Sequence, residues 1–291
     1  MSATATEPAA TTTLHGSNQD ANYIPRGPVE AVLTYFVPPA DGAAPFNYVE
    51  KPPPGKPPHN YGTADHNVTI NDIRGHETEY SLDQDAFEVL QNIPSAADPA
   101  FTDDENIQSV YYPEVEKVIL ENVPGAKRVF IFDHTIRRSH PGAARGPVTR
   151  THIDQTVTSA ALRVKHHLPD EAEELLKGRY RIINVWRPLN GPVQAKPLAF
   201  ASSVSVRDED LVPVEHRYPT RTGETASVKF NEEQKWYYLS GMLNDERLLL
   251  KCSDSGDVPG KRVPHSAFVD PRTPPGARGR ESIEVRTLVF G

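Results

Sequence analysis

One cysteine, Cys252, stands among 291 residues, so the chain offers neither an internal disulfide nor a cysteine-type zinc site. That scarcity fits a reducing compartment, most simply the cytosol. No run approaches the roughly 18 consecutive apolar residues of a membrane span, and no membrane partner is expected. The opening residues, MSATATEPAATTTLHGSNQ, hold neither a basic segment nor an apolar one, a pattern that predicts no secretory signal. Cations are in the minority. Against 39 Asp and Glu there are 31 Lys and Arg, a formal charge of −8, so the basic face of a nucleic-acid-binding protein is not expected.

What is present reads as a mainly β protein with flanking helices. Residues 1–22 are rich in Ala, Thr and Ser without a hydrophobic period and read as a disordered tail. Residues 23–291 show no internal repeat and no clear linker, which predicts a single domain. Within it the Pro-rich stretch 38–59 reads as an extended arm over the surface. Strands are expected at 29–37, 128–134, 180–186, 198–206, 227–230, 236–239, 247–251 and 283–290, where β-branched and aromatic residues cluster between turn signals. Helical spacing appears at 82–91, at 104–121 with an interruption at Pro113, at 157–167 and at 171–177. Many short strands closed by helices suggest an antiparallel sandwich or barrel.

The chemistry gathers late in the chain. In the segment HID, alternation along a strand turns His152 and Asp154 to one side. A distant histidine, His265 in VPHSAF, would complete two nitrogens and one oxygen around a metal, the 2-His-1-carboxylate set of non-haem Fe(II) oxygenases. Beyond it comes Arg280-Glu281-Ser282. A guanidinium beside a hydroxyl suits a planar carboxylate such as the distal end of 2-oxoglutarate. Arg286 shares the face of Arg280 and Ser282 by alternation and competes for that role, with Arg280 preferred. Arg187 in WRP either enters the cavity or satisfies backbone carbonyls at a strand end. Gln155, after Asp154, has the position to hydrogen-bond a metal ligand. Arg137, Arg138, Arg145, Arg150 and Arg187 are read as a cationic mouth for an acidic substrate.

These residues lie within motifs that resemble a known family. HIDQT, NVWRPLNGPVQAKPLAF, WYYLSGML, ERLLLKCSDS and PHSAFVDPRTPPGARGRESIEVRTLVF are similar to motifs of the fungal gibberellin-desaturase-like group, which includes an aziridine-forming oxygenase and relatives of a cephamycin methoxylation protein. The resemblance implies a double-stranded β-helix, or jelly-roll, core. It also implies an Fe(II)/2-oxoglutarate-dependent dioxygenase of fungal specialised metabolism, acting with O₂ on a small molecule by hydroxylation, desaturation or oxidative cyclisation. Carried over by position, His152, Asp154 and His265 match the metal ligands, and Arg280 with Ser282 matches the 2-oxoglutarate clamp. KCSDS departs from the family pattern, which has an aromatic before the Asp-Ser, and puts the packing near Lys251 in question. Two rivals remain open on the residues alone: a catalytically silent jelly-roll protein that binds a small ligand, and a metal enzyme without 2-oxoglutarate. A zinc hydrolase would need a general base at fixed spacing, such as an HExxH helix, and none is found.

Overall fold

The computed structural model describes residues 21–291, so the tail expected over 1–22 lies outside the described residues except for Ala21 and Asn22. In chain order the strands are β1 (Val29–Val37), β2 (Phe46–Tyr48), β3 (Gly62–Asp72), β4 (Phe87–Leu90), β5 (Arg128–Arg138), β6 (His152–Ile153), β7 (Tyr180–Pro188), β8 (Leu198–Ala201), β9 (Leu211–Arg217), β10 (Thr222–Val228), β11 (Trp236–Tyr238), β12 (Arg247–Asp254), β13 (His265–Ala267) and β14 (Glu281–Phe290). The helices are α1 (Leu82–Asp85), α2 (Asp104–Asn106), α3 (Tyr112–Asn122), α4 (Val157–His167) and α5 (Ala172–Leu175).

Two sheets carry the fold. The smaller runs β4-β12-β7-β14-β5, and the larger runs β1-β3-β11-β8-β13-β6-β10-β9-β2. Two four-strand sets, β12-β7-β14-β5 and β11-β8-β13-β6, form the jelly-roll core; β4 extends the smaller sheet beside β12, and the other strands extend the larger sheet at both ends. Phe200 of β8 meets Phe87 of β4 across the gap, ring centroids 4.5 Å apart, in a core shared with Trp186, Leu248 and Leu250.

The central strands β7, β12 and β14 are buried nearly throughout, which explains why they read as continuous rather than alternating apolar runs. Their two faces have different partners. Ile183, Val185, Leu249, Ile283 and Val285 pack outward against Tyr111, Val115 and Ile119 of the α3 segment. Each such fully buried side chain contributes about 1.5 to 3 kcal/mol of burial free energy. The other face, carrying Trp186, Asn184, Arg280, Ser282 and Arg286, turns towards the larger sheet. A one-residue change of register would exchange these sets, so the apolar outer face fixes which polar residues look inward.

Several expected elements differ in detail. The helix expected over 82–91 stops after one turn, because Ala86 adopts the left-handed conformation (φ 67°), and Phe87–Leu90 becomes strand β4 paired with β12. The helix expected over 104–121 is continuous through Pro113, because a π turn at Ile107–Tyr111 precedes it and places the proline in the first turn of α3, where no N–H is needed. β5 runs four residues past the expected end at His134 and includes Arg137 and Arg138. In the Pro-rich stretch 38–59, Phe46–Tyr48 pairs parallel with β9 at the sheet edge. β3 was not expected at all: GTADHNVTIND is mostly polar, and its strand form comes from pairing with β1 through Ile70 and with β11 at its end.

The KCSDS segment has its own explanation. β12 carries a bulge between Lys251 and Ser253, so Cys252 is the extra residue and packs against Ile153, Ile182 and Leu288. Lys251 is fully buried and donates to Asp254 Oδ2 at 2.5 Å and Asp83 Oδ1 at 2.9 Å, while Arg179 donates to the same two carboxylates. The four charges satisfy one another, as burial requires.

Candidate metal centre

β6 and β13 are neighbours, and His152 stands directly opposite His265 in their register. Asp154 follows β6 by one residue, where Thr156 caps α4 through a reciprocal pair with Ser159 that fixes the chain's exit. The ligand atoms of His152, Asp154 and His265 all lie within 4.8 Å of one another. Sequence reasoning named all three, and the fold brings them together from two strands and a loop.

The hydrogen bonds orient them. His152 Nδ1 lies 2.8 Å from the Arg150 carbonyl and His265 Nδ1 lies 3.2 Å from the Val263 carbonyl, contacts that only a protonated Nδ1 can make as a donor. Each ring therefore presents the lone pair of Nε2, the tautomer a metal ligand needs. The Nε2 atoms face Asp154 Oδ1, at 3.4 Å from His152 and 4.0 Å from His265. Burial pushes His265 down to about 4, with the adjacent His152 acting in the same direction, so its ring is neutral at neutral pH. Burial alone would raise the Asp154 carboxyl, but Arg286 and the two rings outweigh it and hold the group well below the ordinary carboxylate range. Two imidazoles that present Nε2 and one carboxylate, converging on one point, fit a divalent iron.

The two candidate arginines occupy different settings. Arg280 is buried at 2% exposure, lies over the Trp186 ring at 5.3 Å and donates to the Lys196 carbonyl at 2.8 Å. Its Nε is buried without a partner, and no carboxylate among the described residues forms an ion pair with it. Burial, with Arg137 adding to it, pushes its guanidinium down to about 9 against the opposing Glu284. A cation in that position is incomplete without an anion, and Ser282, also buried, stands two residues on along the same face. Arg286 is already engaged with three carboxylates, Asp133 at 2.8 Å, Glu284 at 3.2 Å and Asp154 at 3.3 Å. Burial would lower it, but those acids raise it.

Other expectations are redistributed. Arg187 alternates to the outer face, donates to the Asn244 carbonyl at 2.9 Å and lies over Phe101 and Tyr111, so it satisfies backbone at a strand end and does not enter the cavity. Arg138 pairs with Glu281 and donates to the Ala100 carbonyl, away from the centre. Arg137 stands opposite Ser282 and shares its face. Arg145 donates to Thr135, and Arg150 donates to Tyr61 while lying over its ring at 5.1 Å. Gln155 accepts from Ser159 Oγ and makes no hydrogen bond to Asp154. That contact comes from Asn184, which donates to Asp154 Oδ2 at 2.8 Å and was not singled out in the sequence. Its one signal was polarity inside the apolar run RIINVW. His216 was also missed. Its Nε2 lies 2.9 Å from Thr225 Oγ1, and burial, with the charges of Arg150 and His152, pushes it down to about 4.

A jelly roll bearing two histidines on neighbouring strands and a carboxylate in the loop that follows one of them defines the class of mononuclear non-haem iron oxygenases. A family model described as "Oxidoreductase/YMDC permease-like domain" matches residues 33–290. The chain is 37% identical over 327 residues to the hydroxylase/desaturase poxK of Penicillium oxalicum, covering 100% of this chain and 99% of that protein. It is 33% identical over 270 residues to the Fe(II)/2-oxoglutarate-dependent dioxygenase nvfI of Aspergillus novofumigatus, covering 90% and 96% respectively. A solved structure of the iron and alpha-ketoglutarate-dependent endoperoxidase NvfI matches with a TM-score of 0.83 at 30% identity, over 92% of this chain and 99% of that one. The chain belongs to the family of fungal Fe(II)/2-oxoglutarate-dependent dioxygenases, whose cofactor and co-substrates are Fe(II), 2-oxoglutarate and O₂. The rival of a catalytically silent jelly roll finds no support among these relatives. Among the described residues no helix is long and apolar enough to cross a membrane.

Proposed function

We propose that His152, Asp154 and His265 ligate the iron, that Arg280 with Ser282 receives the distal carboxylate of 2-oxoglutarate, and that residues 23–291 act as one catalytic domain on a small acid. The observation that carries the reading is the pairing of His152 with His265 around Asp154 Oδ1, both rings holding Nε2 free. Iron, 2-oxoglutarate and O₂ together supply an oxidant that removes hydrogen from an unactivated C–H bond, with succinate and CO₂ as co-products. The protein's part is placement. His152 and His265 are locked by their Nδ1 contacts, Asp154 is ionised, and Arg280 is a buried cation awaiting an anion.

The acid character of the substrate is supported by Arg137, Arg145 and Arg150, none of which forms an ion pair with a carboxylate among the described residues. Arg150 sits two residues before His152, and its carbonyl accepts from His152 Nδ1 at 2.8 Å, so its backbone lies beside the centre. Arg187 and Arg138 have no part in this reading, and Arg286 is replaced in the clamp by Arg280 alone. Whether hydrogen removal ends in hydroxylation, desaturation or ring closure follows from where the substrate's carbon is held. A cytosolic setting is supported by the free, buried thiol of Cys252. The test is O₂-dependent conversion of 2-oxoglutarate to succinate by the iron-loaded protein. Activity that is lost in Asp154→Ala supports the reading, and activity equal to wild type in that variant contradicts it.

A further inference from the structure

We propose that Asn184 and Arg286 are positioning residues that turn a single oxygen of Asp154 towards the metal and hold the other away; this rests on the reading of Asp154 as an iron ligand. The two oxygens of that carboxylate have separate surroundings. Oδ1 faces the Nε2 atoms of His152 and His265 at 3.4 and 4.0 Å. Oδ2 accepts from Asn184 Nδ2 at 2.8 Å and from Arg286 Nε at 3.3 Å.

The two donors form one device. Asn184 and Arg286 are register partners on β7 and β14, so a single rung of the smaller sheet grips the carboxylate from the side opposite the histidines. Asn184 is fully buried, opposite Leu250 in the β7–β12 register, where an amide is costly unless hydrogen-bonded. Its Oδ1 has no partner, and the bond to Asp154 is the one its side chain makes among the described residues. Packing therefore does not account for an asparagine there, whereas Asp154 does. Arg286 is itself fixed by Asp133 and Glu284. It cannot leave Asp154 without also leaving those two acids.

A carboxylate free to rotate presents both oxygens to a metal and takes up a position that a facial triad leaves open for co-substrate or O₂. Tying Oδ2 to the opposite sheet keeps the ligand single-toothed. Hydrogen-bond partners of metal ligands typically govern affinity by about 10- to 100-fold.

The test uses Co(II) alone as the probe, titrated into the metal-free full chain and followed by its visible absorption. Wild type, Asn184→Leu, Asn184→Ala and His265→Ala are compared, with the thermal midpoint of each metal-free protein as the control for folding. Asn184→Leu is expected to fold, to bind Co(II) about 10- to 100-fold more weakly, and to show an altered spectrum when saturated. If the leucine variant does not fold, Asn184→Ala, which cannot overpack the site, carries the same expectation. A purely structural role for Asn184 would lower the metal-free midpoint while leaving the affinity and the saturated spectrum as in wild type, and that result overturns the proposal. Co(II) binding that survives His265→Ala would instead overturn the reading of the ligands, so the two failures are distinct.

Discussion

His152 and His265 face each other across the β6–β13 register with ring centroids 4.5 Å apart, and each holds its Nδ1 against the backbone carbonyl two residues earlier in the chain. The same local device is used twice, so each ring's orientation is set by its own backbone before any metal arrives. Replacing either ring should therefore remove metal binding without removing the fold. His152→Ala and His265→Ala are expected to lose most of their iron after anaerobic loading, with metal-free thermal midpoints a few degrees from wild type. Normal iron content in either variant would count against the assignment.

Arg280 and Arg286 should fail in different ways. Arg280→Ala is expected to raise the 2-oxoglutarate KM about tenfold to a hundredfold, the equivalent of a charge-assisted hydrogen bond worth about 1.5 to 3 kcal/mol, with little effect on metal content. Arg286→Ala leaves Asp154, Glu284 and Asp133 without their shared cation. Breaking such a partly or fully buried arrangement costs about 3 to 5 kcal/mol, so it should appear first as a lower thermal midpoint. Steady-state kinetics alongside thermal denaturation separates the two, and the reverse pattern would exchange their roles.

Glu284 should impose a pH dependence on stability. Burial, with Asp154 adding to it, pushes its carboxyl up to about 7 against Arg286 and Arg137. A folded-state value above the unfolded one means that its contribution is fully present below about pH 4.5 and is lost as the pH rises towards 7, at about 1.4 kcal/mol for each unit as an upper scale. Glu284→Gln removes that loss. Relative to wild type, the variant's thermal midpoint is expected to be higher at pH 8 than at pH 5. A difference that stays constant across the two pH values would show that Glu284 is not raised.

Arg137, Arg145 and Arg150, which form no ion pair with a carboxylate among the described residues, predict a preference for acids. Substrate-triggered decarboxylation of 2-oxoglutarate, measured across paired carboxylic acids and their methyl esters, should favour the acids, and Arg150→Met should reduce that preference. Esters that trigger turnover as well as the acids would mean that Arg137, Arg145 and Arg150 serve only the surface.

Much of the centre was legible because its chemistry is carried by residue types and alternation. HID and RES each put their key side chains two apart, and the strands that bear them are short or buried enough for that pattern to hold. The positions that sequence reasoning misplaced depend on which face a buried strand turns inward. Arg187 and Asn184 lie three residues apart on β7, a strand buried on both sides, where no hydrophobic alternation marks the inner face. Asn184 looked like an interruption in a core strand and Arg187 like a functional cation, and the packing of Ile183 and Val185 against the α3 segment reverses those expectations. The strand at Phe87–Leu90 was hidden for a related reason, since four apolar-rich residues after a single helical turn match both periods.

The most direct measurement of the central claim is the absorption spectrum of the metal-free protein titrated anaerobically with Fe(II) and then with 2-oxoglutarate. The account predicts a visible metal-to-ligand charge-transfer band that appears only when both are present, saturates at equal amounts of iron, 2-oxoglutarate and chain, requires a higher 2-oxoglutarate concentration in Arg280→Ala, and is absent in His265→Ala. A band of full intensity in His265→Ala, or no band in the wild type under saturating conditions, would contradict it.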